Sequence, residues 1–297
     1  AFLERNLEED VLFQGLGLGP NVPRFLRTSS DVKKLRKPKR ETEKVIQLIW
    51  RRHLETQEQN PSKPIKLVDS VYDYLRARLG LQSAIVEAGY NLLYAVYLHK
   101  YDSDCELFLK ILLGEMKEEV YHEQLRLQKD LSKLFQLVDM STNDGKPTGS
   151  IKRADAKMSL RAFYYRKTEL RLDEVLQSLD DSVPPGPTLE WQPLFEEDRQ
   201  FNQTPFLETV RAQHVEERLE FFSQLELELF EQTEYADEST SQQLELAINQ
   251  VDPNLSPADV HHLMRSAFPP ESEDPAKVGI IMMRLRQTCV REPVPAA

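Results

Sequence analysis

The sequence predicts an all-α protein, a helical bundle followed by EF-hand-like (calmodulin-like) helix–loop–helix lobes. Three observations lead there. Apolar residues recur at helical spacing along most of the chain, and no run alternates with the period of two that marks a strand. Glycine is scarce, 10 in 297 residues, and 29% of residues are charged, a balance that favours helix. Finally, residues 144–155 read Asp-Gly-Lys-Pro-Thr-Gly-Ser-Ile-Lys-Arg-Ala-Asp, the frame of a calcium loop with acid at position 1, Gly at 6, Ile at 8 and acid at 12.

Taken in order, residues 2–13 place Phe2, Leu3, Leu7, Val11 and Leu12 at helical spacing, and Gly15, Gly17, Gly19 and Pro20 end the segment. Residues 1–28 are therefore expected to form an N-terminal arm, solvated or docked on a partner. Pro38 marks a helix boundary, after which Val45, Ile46, Ile49 and Trp50 form an apolar stripe. A helix over 65–79 stops at Gly80. The segment 85–97 is apolar nearly all round and is expected to be a buried central helix. Helices over 105–113, stopped by Gly114, and over 120–138 complete a bundle assigned to residues 29–140.

The frame at 144–155 leads into helices over 151–167 and 168–179, within an EF-hand-like lobe assigned to 141–223. Residues 180–193, with four prolines, form a connector whose Trp191, Leu194 and Phe195 dock back on a core. A long helix over 204–230 carries a strongly acidic outer face. Its apolar residues, Leu219 among them, suit either a partner helix or the core of the same domain. The last lobe, 224–297, is expected to hold short helices over 244–251, 257–268 and 278–285, around a second loop that starts at Asp252. That loop has Pro257 at position 6 and Leu263 at position 12, so it lacks the glycine and the acid a calcium loop needs.

The first loop keeps its frame and loses its chelating chemistry. Asp144, Thr148, the Ser150 carbonyl and Asp155 are the candidate ligands, while positions 3 and 9 carry Lys146 and Lys152, whose ammonium groups repel a divalent cation. Asp155 is also shorter than the Glu that binds with both oxygens. No cofactor is expected on this reading. The alternative is weak calcium binding through Asp144 and Asp155, which would make the chain a calcium-responsive regulator.

Net charge is −11, which argues against a general nucleic-acid binder. Residues 24–53 nevertheless hold eleven Lys and Arg against three acids, so the remainder carries −19. Lys33, Lys34, Arg36, Lys37, Lys39 and Arg40 form the densest run. They suit docking on an acidic surface such as a microtubule lattice, or equally a solvated basic face. No apolar run approaches a membrane span. Two cysteines, Cys105 and Cys289, suit a reducing compartment, cytosolic or ciliary. Cys105 lies on a helix heading into the core, Glu119-Val-Tyr-His122 lacks the second copy a di-iron bundle needs, and His261-His262 has no ligand cluster nearby. With no phosphate loop or nucleophile elbow either, a non-enzymatic interaction protein is expected.

The block from Lys39 to Leu179 runs Glu-Lys-Val-Ile-Gln-Leu-Ile-Trp, then Gly-Tyr-Asn-Leu-Leu-Tyr, then Cys-Glu-Leu-Phe-Leu-Lys-Ile-Leu-Leu-Gly-Glu, then Glu-Glu-Val-Tyr-His-Glu-Gln. This block resembles ciliary and flagellar scaffold proteins with degenerate EF-hands, and in particular the translin-associated factor X-interacting protein family. The resemblance implies a structural or adaptor component of an axonemal cytoskeletal assembly, located in the cilium or flagellum and partnered by other proteins.

Overall fold

A computed structural model of the protein describes residues 12–59, 65–143, 145–288 and 290. Among them are eleven α-helices and three short two-stranded ribbons, so the all-α expectation holds. The chain divides into two compact units. One takes in residues up to 116 together with 197–202, and the other 117–196 with 203–297.

The first unit contains α1 (Lys39–Gln59), α2 (Leu67–Leu79), α3 (Gln82–Leu98) and α4 (Ser103–Leu113). Helix α3 is the buried centre that its sequence predicts, with Ile85, Tyr90, Leu92, Ala95 and Val96 withdrawn from water. Gly89 lets the chain at Phe25 lie against it, since a Cβ there would stand 2.4 Å from the Phe25 carbonyl oxygen. Helix α4 starts at Asp102, whose carboxylate accepts from the N–H groups of Asp104 and Cys105, and stops at Gly114 with φ +76°.

The expected arm departs from its reading. Leu12–Phe13 form β1, paired antiparallel with β2 (Val32–Lys33), and Phe13 is fully buried with Phe25 and Leu26 close to it in burial. Residues 1–11 lie outside the described residues. Turn chemistry decides this: Gly15 sits where a Cβ would be 2.6 Å from the Thr28 carbonyl oxygen, so the chain folds back on itself. Tyr90 then fastens the turn, donating to the Leu26 carbonyl at 3.0 Å and accepting from the Leu16 N–H at 2.8 Å.

The second unit contains α5 (Glu119–Thr142), β3 (Ser150–Lys152), α6 (Arg153–Phe163), α7 (Glu169–Ser182), β4 (Thr188–Glu190), α8 (Pro205–Gln232), β5 (Glu238–Ser239), α9 (Ser241–Val251), α10 (Pro257–Ala267), β6 (Ala276–Lys277) and α11 (Val278–Leu285). Strand β3 pairs antiparallel with β4, Ile151 opposite Leu189, and β5 pairs with β6, Ser239 opposite Ala276. Each ribbon thus ties together two helix–loop–helix segments. Helix α8 serves both: Phe206 and Val210 enter the first core with Leu131, Phe135 and Trp191, while Phe222, Leu225 and Leu229 enter the second.

Three boundaries differ from the expectation. The units meet at 116/117 rather than 140/141, because α5 packs its apolar stripe into the first of these cores. Position 223/224 falls inside the continuous α8. Residues 252–256 connect α9 to α10, and the strand-bearing loops lie at 238–239 and 276–277. Ser256 forms a capping box with Asp259, and Pro257 at the first helical position starts a helix there. No described helix is long and apolar enough to cross a membrane.

Candidate functional site

The loop after α5 is organised by a carboxylate that lies before the calcium frame. Asp139 has no exposed surface, and its position continues the stripe of Leu131 and Phe135 at four-residue steps. Its Oδ2 accepts from Gly149 N–H at 2.7 Å, Thr148 N–H at 2.9 Å and Trp191 Nε1–H at 3.1 Å. Its Oδ1 accepts from Thr148 Oγ1 and Asn143 Nδ2, both at 2.8 Å. Burial alone would raise the Asp139 pKa. The hydrogen bonds from the Thr148 backbone, Trp191, the Thr148 hydroxyl and the Gly149 backbone outweigh it and hold the carboxyl well below the usual range.

The polarity of this loop is the reverse of a chelating one. A calcium site turns about six to eight oxygens inward on a cation; here backbone N–H groups turn inward on an anion. Thr148 has its hydroxyl committed to Asp139, and Ser150 is in β3 opposite Glu190. Asp155 sits in the first turn of α6, where an acid favours the helix N-terminus. Asp144 is outside the described residues. Gly149 has φ +81°, the left-handed region that glycine tolerates, and Ile151 is buried in β3. Asp139 was not singled out from the sequence. The signal available was an acid at the end of an apolar stripe, in a position where a leucine would be expected.

The six cations of the basic run divide into two groups. Lys39 is tied down: its ammonium lies 2.8 Å from Asp102, 3.1 Å from Glu43 and 2.6 Å from Asn202 Oδ1. Burial pulls its pKa down, but these carboxylates prevail and raise it. Lys34 stands over the rings of Phe13 and Tyr94, at 5.2 and 4.9 Å from their centroids. Lys33, Arg36 and Arg40 are exposed, and Lys37 is half-buried. Asn91 sets the path of this strand, donating to the Lys33 carbonyl and accepting from the Leu35 N–H.

Glu43, Asp102 and Cys105 form a group of potential ligands whose donor atoms lie within 4.8 Å of one another. The Lys39 ammonium already lies against both carboxyl groups there, 2.8 Å from Asp102 and 3.1 Å from Glu43. Burial, followed by the Asp102 charge, pushes Glu43 up to about 8, and burial pushes the Cys105 thiol up as well, so it stays protonated and weakly nucleophilic.

In the second unit, Glu123 of α5 meets Arg218 Nη1 and His214 Nε2 of α8, each at 3.0 Å. Arg218 also donates to the carbonyls of Arg286 at 2.8 Å and Thr288 at 3.2 Å. Arg166 pairs with Asp252. These contacts fasten the two cores strung on α8 to each other.

The chain has named homologues. Human Translin-associated factor X-interacting protein 1 is 27% identical over 310 residues, covering 98% of this chain and 45% of the relative. The mouse protein of the same name is 23% identical over 286 residues, covering 94% of this chain and 39% of the relative. The chain therefore spans less than half the length of these relatives, and the likeness reaches well beyond the block at 39–179 that carries the resemblance in sequence. No family model and no solved structure matches it.

Proposed function

We propose that this chain is a non-enzymatic, partner-binding region of a structural or adaptor protein in a cytoskeletal assembly, the ciliary axoneme. Its second unit works as two degenerate EF-hand-like lobes on a shared helix, held in one conformation without calcium. The observation that carries this reading is Asp139, which supplies from within the chain the charge that organises the loop, with the sign opposite to a metal ion. A lobe closed in this way has no ion to gain or lose, so its surfaces are constant. The protonated, buried Cys105 and the Asp102 carboxylate paired with Lys39 beside it fit a structural role.

The exposed cations Lys33, Arg36 and Arg40, with the half-buried Lys37, would touch an acidic protein surface, with a microtubule lattice as one candidate. The name of the relatives describes interaction with translin-associated factor X, and that protein is a second candidate partner for this chain. Co-sedimentation with microtubules and capture of purified translin-associated factor X, each with the wild-type chain and with those four residues reversed to Glu, test the assignment. Salt-sensitive binding that the reversal abolishes is expected. Binding of neither partner, or binding indifferent to the reversal, would remove the basic face from the account.

A further inference from the structure

We propose that the basic ribbon of the first unit docks on the acidic face of α8 in a second copy of this chain. The inference rests on the reading of that ribbon as a docking surface and names its occupant.

The ribbon presents two faces. Phe13 and Val32 stand opposite each other and are buried, so Leu12 and Lys33, also opposite, face outward. Leu12 is 47% exposed, and Leu35, two residues beyond Lys33, is 41% exposed. Arg36 and Arg40 are exposed alongside. An outer face with apolar residues among cations has a defined complement, an acidic strip with apolar residues of its own.

Helix α8 is such a strip. It carries seven glutamates and two arginines, and both arginines, Arg211 and Arg218, are buried. Its own water-facing charges are therefore acidic; Lys167, Arg171 and Arg286 of neighbouring segments pair with Glu216, Glu217, Glu220 and Glu226 and offset part of them. Leu219 and Leu227 are 52% and 59% exposed, although the same helix buries Phe222, Leu225 and Leu229. Glu216 and Glu220 lie one turn apart beside Leu219 and share the guanidinium of Arg171 with Glu217, which also meets the Lys167 ammonium, so three glutamates face two cations and negative charge is left over. The sequence holds both complements in one molecule, +8 over residues 24–53 against −19 elsewhere. Any solution of the chain thus contains the partner. A contact between two different patches is heterologous, and one that rests on exposed charges should be weak, salt-sensitive and concentration-dependent.

Sedimentation of the full chain tests this with two charge-reversed variants. One carries Lys33→Glu, Arg36→Glu and Arg40→Glu; the other carries Glu216→Lys, Glu220→Lys and Glu231→Lys. The wild-type mass should rise with concentration at low salt and return to the monomer at high salt. Each variant alone should self-associate at least about tenfold more weakly, and an equimolar mixture of the two should recover association to within a few-fold of wild type. A wild-type chain that stays monomeric at low salt, or a mixture that fails to associate, overturns the proposal. If either variant melts abnormally, Leu12→Ser with Leu35→Ser, and Leu219→Ser with Leu227→Ser, take its place with the same weakening expected; unchanged association there also overturns it. A fluorescent Glu- and Leu-rich peptide separates the two readings. A monomeric chain that still binds this peptide through Lys33, Arg36 and Arg40 keeps the docking surface and loses the second copy as its occupant.

Discussion

Replacing Asp139 by Ala removes the acceptor shared by five donors and leaves the loop N–H groups of Thr148 and Gly149 and the indole of Trp191 facing a void. Each buried donor left unpaired costs about 1–3 kcal/mol, so three of them, after partial relaxation, cost about 3–5 kcal/mol together. At about 2–4 °C per kcal/mol for a chain of this length, the melting temperature of the second unit should fall by roughly 10 °C. Asp139→Asn keeps one acceptor oxygen but turns an NH2 group towards donors, and should cost about half as much. The two tryptophans make the assay direct, since Trp50 is in the first unit and Trp191 touches Asp139. Urea unfolding followed by Trp191 emission in a Trp50→Phe background would report the second unit alone. Calcium should not restore the lost stability. A midpoint for Asp139→Ala within about 0.5 kcal/mol of its parent would refute the reasoning, because a buried network cannot be lost that cheaply.

Three further outcomes follow from the same packing. Gly89→Ala places a methyl group 2.4 Å from the Phe25 carbonyl oxygen and should destabilise the first unit by about 2–4 kcal/mol, read by urea unfolding with Trp50 emission in a Trp191→Phe background. Glu43 titrates at about 8 in the folded protein against 4.5 ordinarily, so the folded state holds the extra proton between those values. Stability should therefore fall as pH rises from about 5 to 8, by at most about 1.4 kcal/mol per pH unit, and Glu43→Gln should flatten that slope in urea midpoints. The raised pKa of Lys39 leaves it charged throughout this window, so it does not alter the sign. Arg218→Ala strips Glu123 of its buried guanidinium and should cost about 3–5 kcal/mol, with faster hydrogen exchange in α11 as the local signature.

The helices were legible because their punctuation is local. Pro38, Gly80 and Gly114 each stand at a boundary the structure keeps, and the all-round apolar run at 85–97 is the buried α3. The docking of Trp191 and Leu194 was legible too, since large apolar residues in a proline-rich connector have few other places to go. What periodicity could not reach depends on pairing between distant segments. Phe13 belongs to a core because Val32 lies opposite it, a contact that helical spacing in residues 2–13 conceals. An acid followed by Pro and Asn makes Asp252 look like a loop start, whereas the ribbon of β5 and β6 fixes the loops elsewhere. Leu219 follows the apolar stripe of α8 in sequence yet is exposed, because that helix changes the core it serves along its length. Asp139 is hidden by the motif itself: the recognisable frame is residues 144–155, and the controlling charge lies five residues before them.

The central claim is that the second unit keeps its shape without calcium, and a calorimetric calcium titration of the intact chain, paired with melts in calcium and in chelator, tests it most directly. No binding heat and superimposable melts are expected. Heat that fits about one site, abolished by Asp144→Ala and accompanied by a raised melting temperature, would contradict it and make the loop a working calcium site.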